Sequence, residues 1–163
     1  MKITFDHAQP QALSDIMRIE HTGFSDAEAA TTEAMKDRIQ LYPDTFIVAK
    51  NDQGQVVGYI VGPSFGQRYL TDELYEKARP NNPSESYQTV LSLVVDPSYQ
   101  HNGIAGQLLD ELAKVARKQG RTAISLTCLK KLIPFYESHG YKNEGVADSD
   151  HADEIWYNMV LTL

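Results

Sequence analysis

Residues Leu91 to Gln107 read LSLVVDPSYQHNGIAGQ: an apolar run closed by Asp96-Pro97, a short loop containing a glycine, and the opening of an amphipathic helix. Leu91, Leu93, Val94 and Val95 favour a strand, and Pro97 cannot extend a ladder because it has no amide proton. From Ile104 the apolar positions Ile104, Leu108, Leu112 and Val115 recur at helical spacing, while Asp110, Glu111, Lys114, Arg117 and Lys118 fall elsewhere on the same helix. Gly120 is suited to closing it.

This strand, loop and helix place unpaired amides at a helix start. The first amides of a helix lack internal acceptors and carry partial positive charge from the macrodipole, so the run Gln100-His101-Asn102-Gly103-Ile104-Ala105-Gly106 could hold a phosphate without a lysine. Gly103 would let the backbone turn close to a ligand. Spacing alone is equally compatible with an ordinary strand-to-helix turn.

The rest of the chain predicts one α/β domain over residues 1–163. A first strand at Lys2 to Phe5 precedes a helix from Pro10 and a second helix from about Ala27 to Leu41, capped by Ser25-Asp26. A hairpin follows, Thr45 to Lys50 and Val56 to Val61, turning at Asn51-Asp52-Gln53-Gly54. Gly62 to Gln88 is irregular, with a helix expected only over Leu70 to Ala78, and a connection that long is usually functional or mobile. Beyond the central helix come a strand at Ala123 to Cys128, a short helix at Ile133 to His139, and strands near Tyr141 to Val146 and Ile155 to Leu163. Helices between strands around one sheet make a mixed α/β sandwich.

Composition removes several function classes. A net charge of -7 disfavours nucleic acid and anionic membranes as partners, both of which want basic patches. No run approaches a membrane span, MKITFDHAQP lacks the apolar core of a signal peptide, and a cytoplasmic location is expected. The single cysteine, Cys128, excludes an internal disulfide and a multi-cysteine metal site, and its strand context favours a buried structural thiol over a nucleophile. The G-x-G-x-x-G and G-K-S/T nucleotide patterns are absent.

Gln100-x-x-Gly103-x-Ala105, after a strand ending Val95-Asp96-Pro97, resembles the acetyl-CoA diphosphate loop of the GNAT superfamily of N-acetyltransferases. Leu132 to Gly140, LIPFYESHG, is similar to that superfamily's last helix and its tyrosine. The resemblance implies a mixed central sheet flanked by helices, with two central parallel strands that splay apart and take the pantetheine arm of acetyl-CoA between them. It implies coenzyme contacts from Leu93, Val94, Val95, Gln100, His101, Asn102, Gly103, Ile104, Ala105 and Gly106. Tyr136 is implied as the catalytic residue that assists departure of the CoA thiolate; read without the resemblance, Tyr136 is better taken as a packing aromatic beside Phe135.

Within the superfamily the chain looks like the arylalkylamine (serotonin) N-acetyltransferase branch, on Ile19-Glu20 with Phe24, Gly58-Tyr59-Ile60-Val61-Gly62, and Leu126-Thr127-Cys128 leading to Ile133-Pro134-Phe135-Tyr136-Glu137. The expected acceptor is the primary amine of a small molecule, with Phe24, Phe65 and Leu91 as pocket residues and Tyr42 and Tyr69 as further aromatics. A homodimer is compatible with this reading. The two histidines with which that branch relays the amine proton fall at Thr89 and Leu91 here, neither of which can take a proton at neutral pH. Glu20, His21, Glu85 and His139 remain as proton acceptors, and a surface role is expected for each. Asp148, Asp150, Asp153 and Glu154 form an acidic turn, read as a solvated hairpin tip.

Overall fold

The computed structural model describes residues 2–149 and 151–163. Among the described residues nine strands form two sheets: β1 (Thr4–His7), β2 (Phe46–Lys50), β3 (Val56–Val61), β4 (Ser64–Phe65), β5 (Tyr87–Val90), β6 (Ser92–Val95), β7 (Ala123–Leu129), β8 (Lys142–Val146) and β9 (Trp156–Thr162). Five α-helices accompany them: α1 (Leu13–Gly23), α2 (Thr32–Leu41), α3 (Glu73–Glu76), α4 (Ile104–Lys118) and α5 (Ile133–Ser138). The sheet orders are β1-β2-β3-β6 and β4-β5-β7-β9-β8, a mixed α/β architecture as expected. No helix among the described residues is long and apolar enough to cross a membrane.

The two sheets are joined by one stretch of chain. β5 runs parallel to β7, from Tyr87 opposite Ala123 to Val90 opposite Leu126. At Leu91 the chain bulges: the Leu91 amide donates to the Val61 carbonyl at 2.7 Å, although Ser92 is the register partner of Val61. Two residues facing one is a β-bulge, which bends a strand and raises its twist. Beyond it β6 pairs with β3, whereas Thr127, Cys128 and Leu129 of β7 pair only with β9. The strands therefore part after Val90 and Leu126, leaving a gap walled by β6 and the end of β7.

Helices cover both faces and fix the width of that gap. The apolar stripe of α4, Leu108, Leu109, Leu112, Ala113 and Ala116, lies in one core with Ile47, Val57, Ile60, Val95, Ile124 and Leu126. On the opposite face of the first sheet, Ile16 and Ile19 of α1 and Met35 and Ile39 of α2 pack with Phe46, Val48, Tyr59 and Val94. Each such fully buried side chain stabilises the fold by about 1.5–3 kcal/mol.

Several expected elements differ: β4 and the start of β5 fall in the Gly62 to Gln88 stretch expected to be irregular, and the strand expected over Leu91 to Val95 starts at Ser92, because the bulge at Leu91 divides it from β5. α2 begins at Thr32, not Ala27, because the Thr31 hydroxyl accepts the Ala34 amide at 3.1 Å; Ser25 instead closes a preceding turn through the Ala29 amide, 2.8 Å from its carbonyl. The expected Leu70 to Ala78 helix is the single turn of α3, and the first strand lies two residues further along than expected.

Candidate active site

The loop before α4 has two residues with left-handed backbone, His101 at φ 66° and Gly103 at φ 78°. A side chain resists that conformation, and a non-glycine there marks a backbone held in place by its surroundings. Asn102 supplies part of the hold: its Nδ2 donates to the Tyr99 carbonyl at 3.0 Å and the Gln100 carbonyl at 3.1 Å. Gly103 is the N-cap residue of α4 and offers no capping side chain, and the amides from Gly103 to Gly106 meet no carbonyl among the described residues. They border a cavity of about 270 Å³ lined by Val95, Gln100, His101, Gly103, Ile104, Ala105, Gly106, Phe135 and His139. A Cβ at Gly106 would sit 2.6 Å from Cε1 of His139, so the exposed imidazole would have to move aside for it.

β6 leads away from this cavity with one edge unpaired. The Asp96 amide donates to the Val57 carbonyl at 2.8 Å. Alternation along an extended strand then turns the backbone of Ser92 and Val94 toward β3 and that of Leu93 and Val95 into the gap. The Val95 carbonyl accepts from Gln100 Nε2 at 3.3 Å, so Gln100 ties the loop to the strand instead of reaching outward. Val94 faces away from the gap, buried with Ile16 and Ile19, so it differs from Leu93 and Val95 in what it could offer a coenzyme.

The second cavity, about 510 Å³, opens where the strands part. Val90 to Leu93 and Leu126 to Cys128 form its floor; Glu20, Gly23 and Phe24 of α1, Ala34 and Arg38 of α2, and Asp72, Tyr75 and Glu76 of the irregular connection form its walls, with Tyr136 and Trp156. Tyr136 is 7% exposed, and its ring meets those of Phe135 and Tyr141 edge-on at 5.0 and 5.7 Å. Burial pushes its hydroxyl well above the ordinary tyrosine range, with Cys128 and Tyr141 adding to the shift. It therefore holds its proton across the physiological range. Burial also pushes the Cys128 thiol up to about 11, which keeps it a protonated thiol and bears out its reading as a structural residue.

Glu20 departs from expectation. It is 1% exposed and lines the cavity, where it accepts hydrogen bonds from the Tyr59 hydroxyl and from the Ala30 amide at 2.8 Å. The surface role expected for it is wrong because α1 presents Ile16, Ile19 and Glu20 on one buried face. Glu85 is also no free surface group: it is held by Arg79 at 2.8 Å and by Ser64 at 2.6 Å, with its carboxyl lowered by those bonds against a desolvation cost. His21 is exposed, 3.6 Å from Asp26, and His139 belongs to the loop cavity.

Phe24 and Leu91 line the larger cavity; Phe65 does not. Phe65 sits on β4 with the Arg79 guanidinium 5.7 Å above its ring, because that two-residue strand pairs with β5 outside the gap. Tyr42 is buried core, and Tyr69 is exposed with its hydroxyl on Glu144 at 2.7 Å. Thr89 is buried, with Oγ1 donating to the Pro63 carbonyl at 2.7 Å. Asp148, Asp153 and Glu154 are exposed, and Asp150 lies outside the described residues.

Arg38, Tyr75 and Trp156 went unrecognised in the sequence. A charged residue in the buried stripe of α1, and an arginine on the Thr31-Ala34-Arg38 face of α2, were the available signals. Nothing comparable marks Tyr75 or Trp156.

Comparison with known proteins follows the same lines. The model of the acetyltransferase (GNAT) family matches residues 11–141. Glucosamine 6-phosphate N-acetyltransferase of Trypanosoma brucei brucei is 36% identical over 50 residues, 31% of this chain and 34% of that protein, so the match spans about a third of the relative. Ard1 from Thermoplasma volcanium superposes with a TM-score of 0.81 at 20% identity, over 100% of this chain and 99% of that one. Arabidopsis thaliana Naa50, in complex with a bisubstrate analogue containing CoA, superposes at 0.76 with 14% identity over the whole of both chains. These likenesses carry the fold, and the family match covers most of the sequence: the chain belongs to the GNAT family of acetyltransferases.

Proposed function

We propose that this protein transfers the acetyl group of acetyl-CoA to the primary amine of a small molecule, with an arylalkylamine as the acceptor type that the aromatic walls Phe24, Tyr75 and Trp156 best accommodate. The observation that carries this reading is the alignment of two features along one gap. Unpaired amides from Gly103 to Gly106 border the smaller cavity, and Tyr136, whose hydroxyl has no hydrogen bond among the described residues, lines the larger one.

On this reading the diphosphate rests on the amides at the start of α4, and the Leu93 and Val95 backbone groups pair with the amides of the pantetheine arm as an added strand. The thioester then lies near Leu91 to Leu93. A free alkylamine costs about 4 to 5 kcal/mol at pH 7, given an amine pKa near 10.4. That first proton leaves to water, so the amine reacts as its neutral fraction, and Glu20 is the group proposed to take the second proton, released on attack. As the nitrogen bonds to the thioester carbon its proton acidifies, and the carboxylate takes it. Negative charge building on the carbonyl oxygen meets a strand amide, for which Leu93 is placed. The carbon–sulfur bond then breaks, and the Tyr136 hydroxyl donates a hydrogen bond to the departing thiolate.

Thiol release during incubation with acetyl-CoA and arylalkylamines, polyamines and amino acids tests the reading. Turnover of at least one amine is expected, and none on the whole panel defeats it. A second reading, coenzyme binding without transfer, is favoured by Thr89 and Leu91, which offer no proton acceptor at the two histidine positions. Calorimetric binding of acetyl-CoA with no thiol release would establish it.

A further inference from the structure

Arg38 is 2% exposed, and no described carboxylate lies within ion-pair distance of it. Its guanidinium donates to the Tyr75 carbonyl at 3.3 Å and approaches the Met35 sulfur, a weak acceptor, at 4.0 Å. An arginine carries five donors, so most of this fork is unspent. Thr31, Ala34 and Arg38 occupy one face of α2, and that face lines the larger cavity. The buried Tyr42 hydroxyl lies near enough to feel the Arg38 charge.

A buried cation without a counter-ion is costly, and the cost is relieved by whatever anion enters. Glu20, the buried carboxylate of the same cavity, accepts from Tyr59 and Ala30 and forms no ion pair with Arg38. Asp72 and Glu76 also line this cavity and form no ion pair with Arg38. The cavity thus holds a buried carboxylate contributed by α1 and a buried guanidinium contributed by α2. Those two groups complement a molecule that carries both an amine and an anion.

We infer that the acceptor bears an anionic group, a carboxylate or a phosphate, which Arg38 binds while the amine faces Glu20 and the thioester. This rests on the acetyl-transfer reading above. Guanidinium geometry matches both oxyanions through paired donors, so the two share one recognition chemistry.

Matched acceptors decide it: L-phenylalanine against phenethylamine for the carboxylate, and O-phosphoethanolamine against ethanolamine for the phosphate. In at least one pair the anionic member should have a kcat/KM about 10- to 100-fold higher, the range of a charge-assisted bond. Arg38→Met should bring that ratio close to one, and Arg38→Lys should restore part of it. If Arg38 serves only to hold the Tyr75 carbonyl, both members of each pair fall together and the ratio stays, which overturns the inference. Equal kcat/KM within both pairs in the parent protein overturns it too, while leaving acetyl transfer intact.

Binding supplies an independent readout. With CoA present, N-acetyl-L-phenylalanine should raise the melting temperature more than N-acetyl-L-phenylalaninamide, and the difference should vanish in Arg38→Met. That preference without any thiol release would defeat the transfer reading alone. Its absence, where no amine is turned over, defeats the anion site as well.

Discussion

The two ends of the gap between β6 and β7 are made of different materials. At the start of α4 the binding groups are backbone amides within one short run, held by a loop whose own side chains, Gln100 and Asn102, are turned back onto it. At the other end the groups are side chains, Glu20, Arg38, Tyr75, Tyr136 and Trp156, brought from five separate stretches of sequence. Backbone amides offer the same ligand chemistry whatever the neighbouring side chains, so the first end suits a constant ligand such as a diphosphate. The second end can be altered one side chain at a time, which suits an acceptor that differs from protein to protein.

That contrast breaks if substitutions at the two ends have the same kinetic signature. The largest expected effect is that of Glu20→Gln, which should lower kcat/KM for the amine about 100- to 1000-fold, the usual contribution of a general base, while changing the KM for acetyl-CoA little. Tyr59→Phe serves as its control, since it removes a bond to Glu20 but keeps the carboxylate. An equal loss of acetyl-CoA affinity in Glu20→Gln would erase the distinction between the ends.

Next comes Tyr136→Phe, expected to reduce kcat about 10- to 100-fold through loss of one hydrogen bond to developing negative charge. A change confined to KM would return Tyr136 to a packing role. At the opposite end, Gly103→Val places a branched side chain at φ 78° and shifts the loop. Its KM for acetyl-CoA should rise about tenfold, equivalent to about 1.4 kcal/mol, with kcat at saturation nearly kept.

The smallest effect concerns the outer wall of the acceptor end. The connection carrying Asp72, Tyr75 and Glu76 is fastened to β8, where Arg68 donates to both carboxylate oxygens of Glu144 at 2.8 and 2.7 Å and Tyr69 adds a third bond. Chiefly the Arg68 bonds hold the Glu144 carboxyl at about 2, below its ordinary 4.5. A depressed carboxylate stabilises the fold above the unfolded value and ceases to do so as pH falls from about 4.5 toward 2. Because the pair is partly exposed and screened, Glu144→Gln should cost under about 1 kcal/mol at pH 7. Melting curves of parent and variant should converge near pH 2, and a gap that persists there would mean that the effect is packing and not charge.

What could be seen in advance follows the same division. The loop from Gln100 to Gly106 was readable because its strand-loop-helix pattern lies in one short run of sequence, and α4 announced itself by its stripe. The bulge at Leu91 was not readable, since a single apolar run gives no sign that its halves belong to different sheets. Phe65 was placed in the pocket because aromatic character was the only available guide, whereas its position is set by the pairing of β4 with β5. Glu20 was assigned to the surface for a similar reason: its burial depends on Tyr59 and Ala30, 39 and 10 residues away.

The amino-acid sequence alone thus determined the mixed α/β class and the strand, loop and helix around Gln100 to Gly106, which are local patterns, while the family resemblance singled out the tyrosine of the last helix. Only the tertiary structure decided which carboxylate and which guanidinium face the acceptor cavity. The physical reason is that burial and charge pairing are properties of neighbours in space, and in this chain those neighbours meet only after the strands part at Leu91.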